Sequence, residues 1–584
     1  MLSVSALVLV AFAVYGLLAH LVENPRIFVD ELIYMDASAS VTHGHGLQVR
    51  GEAYGGAPGY PLLLAPLQLL SANRSTAYEL IKLANAFLFA LAGVPIYLLA
   101  RRLIAFRPSL AVTALALSIP SSVYVGLVFT ESLAYFVATA ALYAMVLALE
   151  RPTARRQLAA LICLAACYAV RTQFVAFYAA FLVALALPVL RGLAPRRERL
   201  TRLWPTALSL FLAVAGAATL LARNGASALG RYDNLWRTYD AGSVARWFVY
   251  HVADLALYLG LIPLVILPAA LVVLHRRARA GSPVHGAFLA LFATVNVFAM
   301  LLVAAFATTP FGGGRLHDRY LFYVLPLWLV AGAVWLCDGA PRPFRPIAVG
   351  ALLLLVVIAV LPFDRLAADD QWRQLAAAGT TGWGNLAAWT IRHGLSGHRM
   401  IGLLAACAVI FTVSIPRRLM WLLAPLCAAI FVVDAGFLWK DGIAASHWGV
   451  FSGRSSAERA WVDSVPAARD VMILAIGAPG CSRLGSAYPL TEFFNDRVAQ
   501  VAQPGQVIDY GLSTQQVTIG AEGVVRHSTG RPLTASWLVL PPGIEARGTR
   551  VAEGTRQHLT LWHVAGPVVL RAYSPAEVAA RACS

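Results

Sequence analysis

The sequence predicts a mainly α-helical, polytopic membrane protein, a bundle of about thirteen transmembrane helices followed by a small exterior α/β or β-rich domain. Composition comes first. Of 584 residues, 59% are apolar and only 13% charged, and the mean hydropathy is +0.69. A soluble chain would carry about a quarter charged residues, so disordered chains, secreted disulfide scaffolds and ordinary soluble domains are excluded. Second, apolar runs such as Phe288 to Ala307 and Ala348 to Pro362 reach, or nearly reach, the length a bilayer requires. Third, the net charge of +17 is almost all arginine, the only lysines being Lys82 and Lys440. These cations form short clusters between apolar runs (Arg101-Arg102, Arg155-Arg156, Arg276-Arg277, Arg417-Arg418), the positive-inside pattern of a membrane protein rather than the single basic face of a nucleic-acid binder.

Placing every arginine cluster on the cytoplasmic side predicts spans at 5–22, 77–99, 109–127, 131–149, 157–170, 173–190, 203–222, 252–274, 285–307, 320–337, 346–362, 400–415 and 419–437. The run Ala6 to Val22 has no cation ahead of it and no small-residue cleavage site behind it, so it reads as a retained helix. The N-terminus is then cytoplasmic. The long polar loops, 23–76, 223–251, 308–319 and 362–399, and the tail from Lys440 all face out. The chain divides into a transmembrane region, 1–440, and an extracytoplasmic accessory region, 441–584. In the tail, Ser452 to Val465 reads as a short amphipathic helix, and β-branched runs at 471–476, 515–519, 536–540 and 559–564 read as strands between Pro/Gly turns. Cys481 and Cys583 fall in this exterior part, where an oxidising compartment would allow a bridge; spacing alone does not establish one.

Polar residues that could carry chemistry collect on the outer side. Asp30-Glu31 stands just beyond the first span, and on a helix over 31–42 Asp30 and Glu31 lie within i+4 and i+3 of Tyr34. A carboxylate there could serve as a general base towards a hydroxyl, or Asp30 could simply cap a helix. The same loop continues through Gly44-His45-Gly46 to Tyr54-Gly55-Gly56-Ala57-Pro58-Gly59-Tyr60-Pro61. Glycine and proline this dense let backbone approach a ligand, and Tyr54 and Tyr60 could stack on a sugar or an isoprenoid; a plain re-entry turn explains the composition equally. Arg171 interrupts the apolar stretch 165–180, where an unpaired cation costs about 3 kcal/mol; it is either functional or snorkelling to the headgroups. Glu131, opening a span, is either part of a site or an acid favoured by the helix dipole. His43, His45 and His317 could join Asp30 or Glu131 around a divalent ion, but their spacing matches no established ligand set. No Walker loop, dinucleotide fingerprint or Cys-x-x-Cys occurs, so nucleotide and redox cofactors are not expected.

In that order, Asp30-Glu31, the loop ending Gly59-Tyr60-Pro61, Val128-Phe129-Thr130-Glu131-Ser132 and His317-Asp318-Arg319-Tyr320-Leu321 resemble the GT-C superfamily of membrane glycosyltransferases. That group includes protein O-mannosyltransferases, the lipid A aminoarabinose transferase and actinobacterial arabinofuranosyltransferases. The likeness is good over about residues 1–330; in the tail it is looser, carried by Trp461-Val462-Asp463 and Thr491-Glu492-Phe493-Phe494-Asn495. The resemblance implies transfer of a sugar, with inversion, from a polyprenyl-phosphate donor to an acceptor hydroxyl on the outer face of a bacterial plasma membrane, in the building of a cell-wall or other envelope glycan. Asp30, with Glu31, would be catalytic. Arg171, Arg319 and His317 would hold the donor phosphate, and Tyr34, Tyr54, Tyr60, Glu131 and Tyr320 would contact substrate. Some members of that group work without a metal, so a divalent ion stays open, and the acceptor is a glycan, lipid or protein. The reading from another class is a transporter or flippase of lipid-linked sugars. It would call for internal repeats and paired midplane charges, neither of which the sequence displays.

Overall fold

In the computed structural model, the described residues are 2–26, 28–190, 202–224, 240–366, 377–447, 455–477, 482–505, 512–555 and 558–572. They form two compact units. The bundle comprises Met1–Val14, Phe87–Val123 and Glu131–Trp439; the loop–tail unit comprises Tyr15–Ala86, Tyr124–Thr130 and Lys440–Ser584. Cys481 and Cys583 lie outside the described residues, so the expected bridge between them does as well.

The protein is a mostly helical membrane protein. Seven helices are long and apolar enough to cross a bilayer among the described residues, or up to nine if each sharply bent pair counts as one span. Three shorter apolar helices, Thr172–Leu187, Phe322–Cys337 and Phe344–Val360, accompany them. The count of thirteen is not reached on length, because helices such as these stop short of a full crossing. Apolar side chains face outward where water would be disfavoured: on Trp204–Asn224, Leu208, Phe211 and Val214 are exposed, as expected of a lipid-facing surface.

Inside the bundle, helix α1 (Glu131–Glu150) stacks Tyr135 on Phe89 at 5.1 Å and against Phe322 at 5.3 Å. Helix α2 (Ala154–Val170) ends at Arg171, whose extended backbone (φ −151°, ψ 123°) turns the chain into the helices beginning at Thr172. Helix α3 (Ala241–Tyr258) meets α4 (Ile262–Arg279) at 100°. The bend is made by Gly260 (φ 82°) and Leu261 (φ 71°); a leucine in the left-handed region is strained by about 1–3 kcal/mol. Helix α5 (Phe344–Val360) approaches α4 through Gly350, where an added Cβ would come within 2.1 Å of Val265 O. A small residue is what lets two membrane helices pack backbone to backbone.

In the loop–tail unit, α6 (Phe28–Thr42) follows the first helix, and a two-stranded hairpin pairs β1 (Gln48–Val49) with β2 (Glu52–Ala53). The tail builds a seven-stranded mixed sheet from β3 (Val471–Leu474), β4 (Val498–Gln503), β5 (Gln515–Ile519), β6 (Val525–His527), β7 (Trp537–Leu540), β9 (Thr549–Glu553) and β10 (Thr560–His563). Their spatial order is β6-β5-β4-β3-β7-β10-β9. A small pair, β8 (Glu545–Ala546) with β11 (Leu570–Ala572), stands apart from it. The central strands β3 and β7 are buried along their length, which explains why they read as continuous apolar runs rather than alternating ones. Between β3 and the parallel β4 runs α7 (Ser482–Phe494), the crossover that parallel strands need. The helix expected at Ser452 to Val465 is a single turn, Ser456–Arg459, capped by Ser455 Oγ accepting from Glu458 N at 3.4 Å; residues 452–454 lie outside the described set.

Candidate functional site

In the loop–tail unit, Asp30 occupies the first turn of α6 and is half-buried. Glu31, next to it, is fully buried. Glu31 Oε2 accepts from Arg26 N at 2.7 Å and Oε1 from Val128 N at 2.9 Å, so this carboxylate fastens the helix start to the segment 124–130. Tyr34 and Tyr60 meet edge to face at 5.2 Å. Tyr60 is buried with its Oη 3.0 Å from Asn85 Nδ2, which also donates to Leu127 O at 2.8 Å. Tyr54 folds back on its own loop, Oη donating to Ala57 O at 3.2 Å.

In the bundle, three residues nominated separately from the sequence come together. Glu131, with its side chain 1% exposed, accepts from Arg171 Nη1 at 2.6 Å and from Arg319 Nε. Arg171 Nη1 also donates to Tyr323 Oη at 3.0 Å. Both guanidiniums lie over the Tyr320 ring, Arg171 at 4.8 Å and Arg319 at 5.8 Å from its centroid. Buried charge is tolerable only when paired and hydrogen-bonded, and here two guanidiniums surround one carboxylate. The Tyr320 face adds cation–π attraction.

The segment bearing Arg319 is braced on each side. His317 N donates to His251 Nε2 at 3.2 Å, and His317 Nε2 lies 2.9 Å from Gly312 O. Its ring stacks on Tyr320 at 5.5 Å. Burial pushes the His317 imidazole down to about 4, with Arg319 and Arg315 adding to the effect, so it is neutral at ordinary pH. Asp318 Oδ2 accepts from Gly379 N at 2.5 Å. Burial, then the Asp254 carboxylate, hold Asp318 well above the usual carboxylate range.

The sequence reading did not single out the second set of buried charges. In the loop–tail unit Arg50 grips Glu492 with two bonds, Nε to Oε1 at 2.6 Å and Nη2 to Oε2 at 2.7 Å. Arg74 joins Asp36 at 2.6 Å and Asp496 at 3.0 Å, and His43 Nε2 lies 3.1 Å from Asp496 Oδ2. Burial disfavours the Arg50 charge, but Glu492 outweighs it and the pKa is raised. The two tail segments noted in the sequence are partners: Asn495 Oδ1 accepts from Val462 N at 2.9 Å and Asp463 N at 3.1 Å, and Asp463 accepts from Asp496 N and Arg497 N. Glu492, within one of those segments, was the available clue to Arg50.

Among the described residues no group of three or more His, Cys, Asp or Glu is arranged to hold a metal ion. His43 turns to Asp496 and His317 to Gly312 O.

No family model matches the chain, and no curated protein matches it by sequence. Solved structures do. ArnT from Cupriavidus metallidurans bound to undecaprenyl phosphate aligns over 97% of this chain and 98% of its own, with a TM-score of 0.50 and 14% identity. The chain shares the fold of that structure. ArnT from the same organism in the apo state aligns over 99% of this chain and 98% of its own at 15% identity, with a TM-score of 0.49. The arabinosyltransferase EmbB from Mycobacterium smegmatis covers 76% of this chain and 40% of its own, at 16% identity and a TM-score of 0.42. At these identities the likeness is one of fold, and the fold class found is the one expected from the sequence.

Proposed function

We propose that this chain is a membrane glycosyltransferase that moves a sugar from a polyprenyl-phosphate donor to an acceptor hydroxyl, with inversion. The observation that carries the reading is the pair of guanidiniums, Arg171 and Arg319, gathered around Glu131 and over Tyr320. It is supported by a fold shared with a protein crystallised with undecaprenyl phosphate. Two fixed guanidiniums in a water-poor setting suit a phosphate, which they can meet bidentately. They favour the charge that grows on a departing phosphate without reorganising at the moment of reaction. Glu131 aims them, Tyr320 flanks them, and neutral His317 positions the segment that carries Arg319.

Asp30 is the general base. Its carboxylate takes the acceptor hydroxyl's proton as that oxygen bonds to the anomeric carbon. The bond from that carbon to the phosphate oxygen breaks, and the polyprenyl phosphate leaves with the electron pair. Glu31, with backbone donors on both oxygens, holds Asp30's helix in place. Tyr34, Tyr54 and Tyr60 shape the loop around it. The site faces the exterior of a bacterial plasma membrane, with the N-terminus in the cytoplasm and the tail outside as the accessory region.

The test is transfer by purified protein from a polyprenyl-phosphate sugar. Asp30→Asn should lower turnover by about 10²- to 10⁴-fold, the range for a lost acid–base group, with an unchanged melting temperature. Full activity in that variant would end the proposal.

A further inference from the structure

A cavity of about 670 Å³ opens within the loop–tail unit, walled by the second half of α6, the β1–β2 hairpin and the N-terminal ends of β3 and β4. Its size lies in the range of small-molecule sites. Asp36, Ser40 and His43 line it from one side; Asp36 and Ser40, at i and i+4, share one face of α6, and His43 follows directly after its last residue. Arg469, Asp470 and Arg497 line it from the tail. Asp470 has φ +48°, a left-handed conformation that aspartate tolerates better than most side chains.

The lining decides what fits. No Phe, Tyr, Trp, Leu, Ile or Met is among the wall residues, which removes an acyl or isoprenoid chain. The carboxylates of Asp36, Asp470 and Asp496 stand against a polyanion, and Arg50, Arg74, Arg469 and Arg497 against a polycation. What remains is an uncharged ligand whose groups both donate and accept, as hydroxyls do. Planar carboxylates and guanidiniums with glutamine and histidine between them match a carbohydrate. The helix itself gives the spacing: Asp36 and Ser40 lie about 9 Å and about 15 Å along the axis from Asp30.

We infer that this cavity is a carbohydrate subsite that holds the sugar chain of a glycan acceptor at a fixed distance along α6 from Asp30. Its role as an acceptor site rests on the transferase reading; its affinity does not. The favoured acceptor is therefore an oligosaccharide, with more than one sugar engaged at once.

The experiment uses full-length protein in lipid nanodiscs without donor, and fluorescein-labelled linear arabino-, manno- and galacto-pentasaccharides as probes. At least one should bind saturably and be displaced by its unlabelled form but not by excess inorganic phosphate. Arg469→Ala and Asp470→Asn, both at exposed positions, should each weaken that binding by about tenfold, the loss of one or two charge-assisted hydrogen bonds, with melting unchanged. Saturation by none of the probes overturns the inference. So does binding that both variants leave intact, and so does displacement by phosphate, which would make the cavity an anion site. Binding that meets these expectations without any transfer when donor is added keeps the subsite and defeats the proposed function. Transfer without such binding does the reverse.

Discussion

The bundle and the loop–tail unit both bury arginines against carboxylates, but in opposite proportion. In the bundle, Arg171 and Arg319 share Glu131. In the loop–tail unit, Arg74 is shared by Asp36 and Asp496, while Arg50 and Glu492 match one to one. Breaking a buried ion pair is expensive whichever partner is lost, because the other charge is left buried alone, so removing a single member of either set destabilises its unit. The surplus cation in the first set suits an incoming anion, whereas the second joins residues more than 400 positions apart. On the proposed function, it is charge proportion rather than burial that distinguishes the phosphate-holding set from the set that ties the first loop to the tail.

Three measurements would break or sharpen that contrast. The largest effect is expected for Arg319→Ala or Arg171→Ala: kcat/KM for sugar transfer should fall about 10²- to 10³-fold, as when a preorganised donor is removed. Lysine should restore little, because it offers no planar fork. If lysine restores full activity, the bidentate reading fails. Next is Arg50→Met, which leaves buried Glu492 without its bidentate partner and should cost about 3–5 kcal/mol of stability by denaturant titration. The folded fraction should keep its kcat, any change falling on the acceptor KM through the cavity that Arg50 also lines; a stable variant that has lost its kcat would move the clamp into the site of the chemistry.

The smallest effect is on pH. Burial, with Glu492 adding and Arg74 opposing, pushes Asp36 up to about 6. Its raised folded pKa gives stability that is full below the unfolded value near 4 and is lost as pH rises through about 6. His317, lowered to about 4, does the reverse: its contribution is present above about 6.5 and lost as pH falls through about 4. Because the two windows overlap between about pH 4 and 6.5 and the slopes oppose each other, the melting profile there should tilt upward with pH in Asp36→Asn and downward with pH in His317→Gln, each relative to the unsubstituted protein. Identical profiles in both variants would mean that neither group titrates as its surroundings dictate.

Much of this was legible in the sequence because hydropathy and charge act locally. The span at α1 and the strands β3, β5, β7 and β10 fall close to where composition predicted them, whereas the single span expected at 252–274 is broken at Gly260 and Leu261 between α3 and α4, a bend that hydropathy does not register. Strands β4, β6 and β9 did not stand out, being short or rich in polar side chains such as Gln500, Gln503, Arg526 and Arg550. Glu131 and Arg171 could be nominated because an ion beside lipid is conspicuous, and Arg319 through the resemblance carried by His317-Asp318-Arg319-Tyr320-Leu321. Their meeting could not be foreseen, since Glu131 lies 40 residues from Arg171 and 188 from Arg319. Arg50 and Arg74 drew no attention for the opposite reason: in a polar loop an arginine is ordinary, and only the fold shows that each is buried.

The loop–tail unit also has a consequence for how the protein is made. Its first portion, through Ala86, emerges from the ribosome long before residues 440–584 exist, and domains generally form as soon as their segments are available. Arg50 and Arg74 must therefore wait for Glu492 and Asp496 while nearly the whole bundle is threaded into the bilayer. A newborn chain held at its last membrane helix would display an unfinished first loop, a point of vulnerability to proteases that closes only when the tail has been made and has folded.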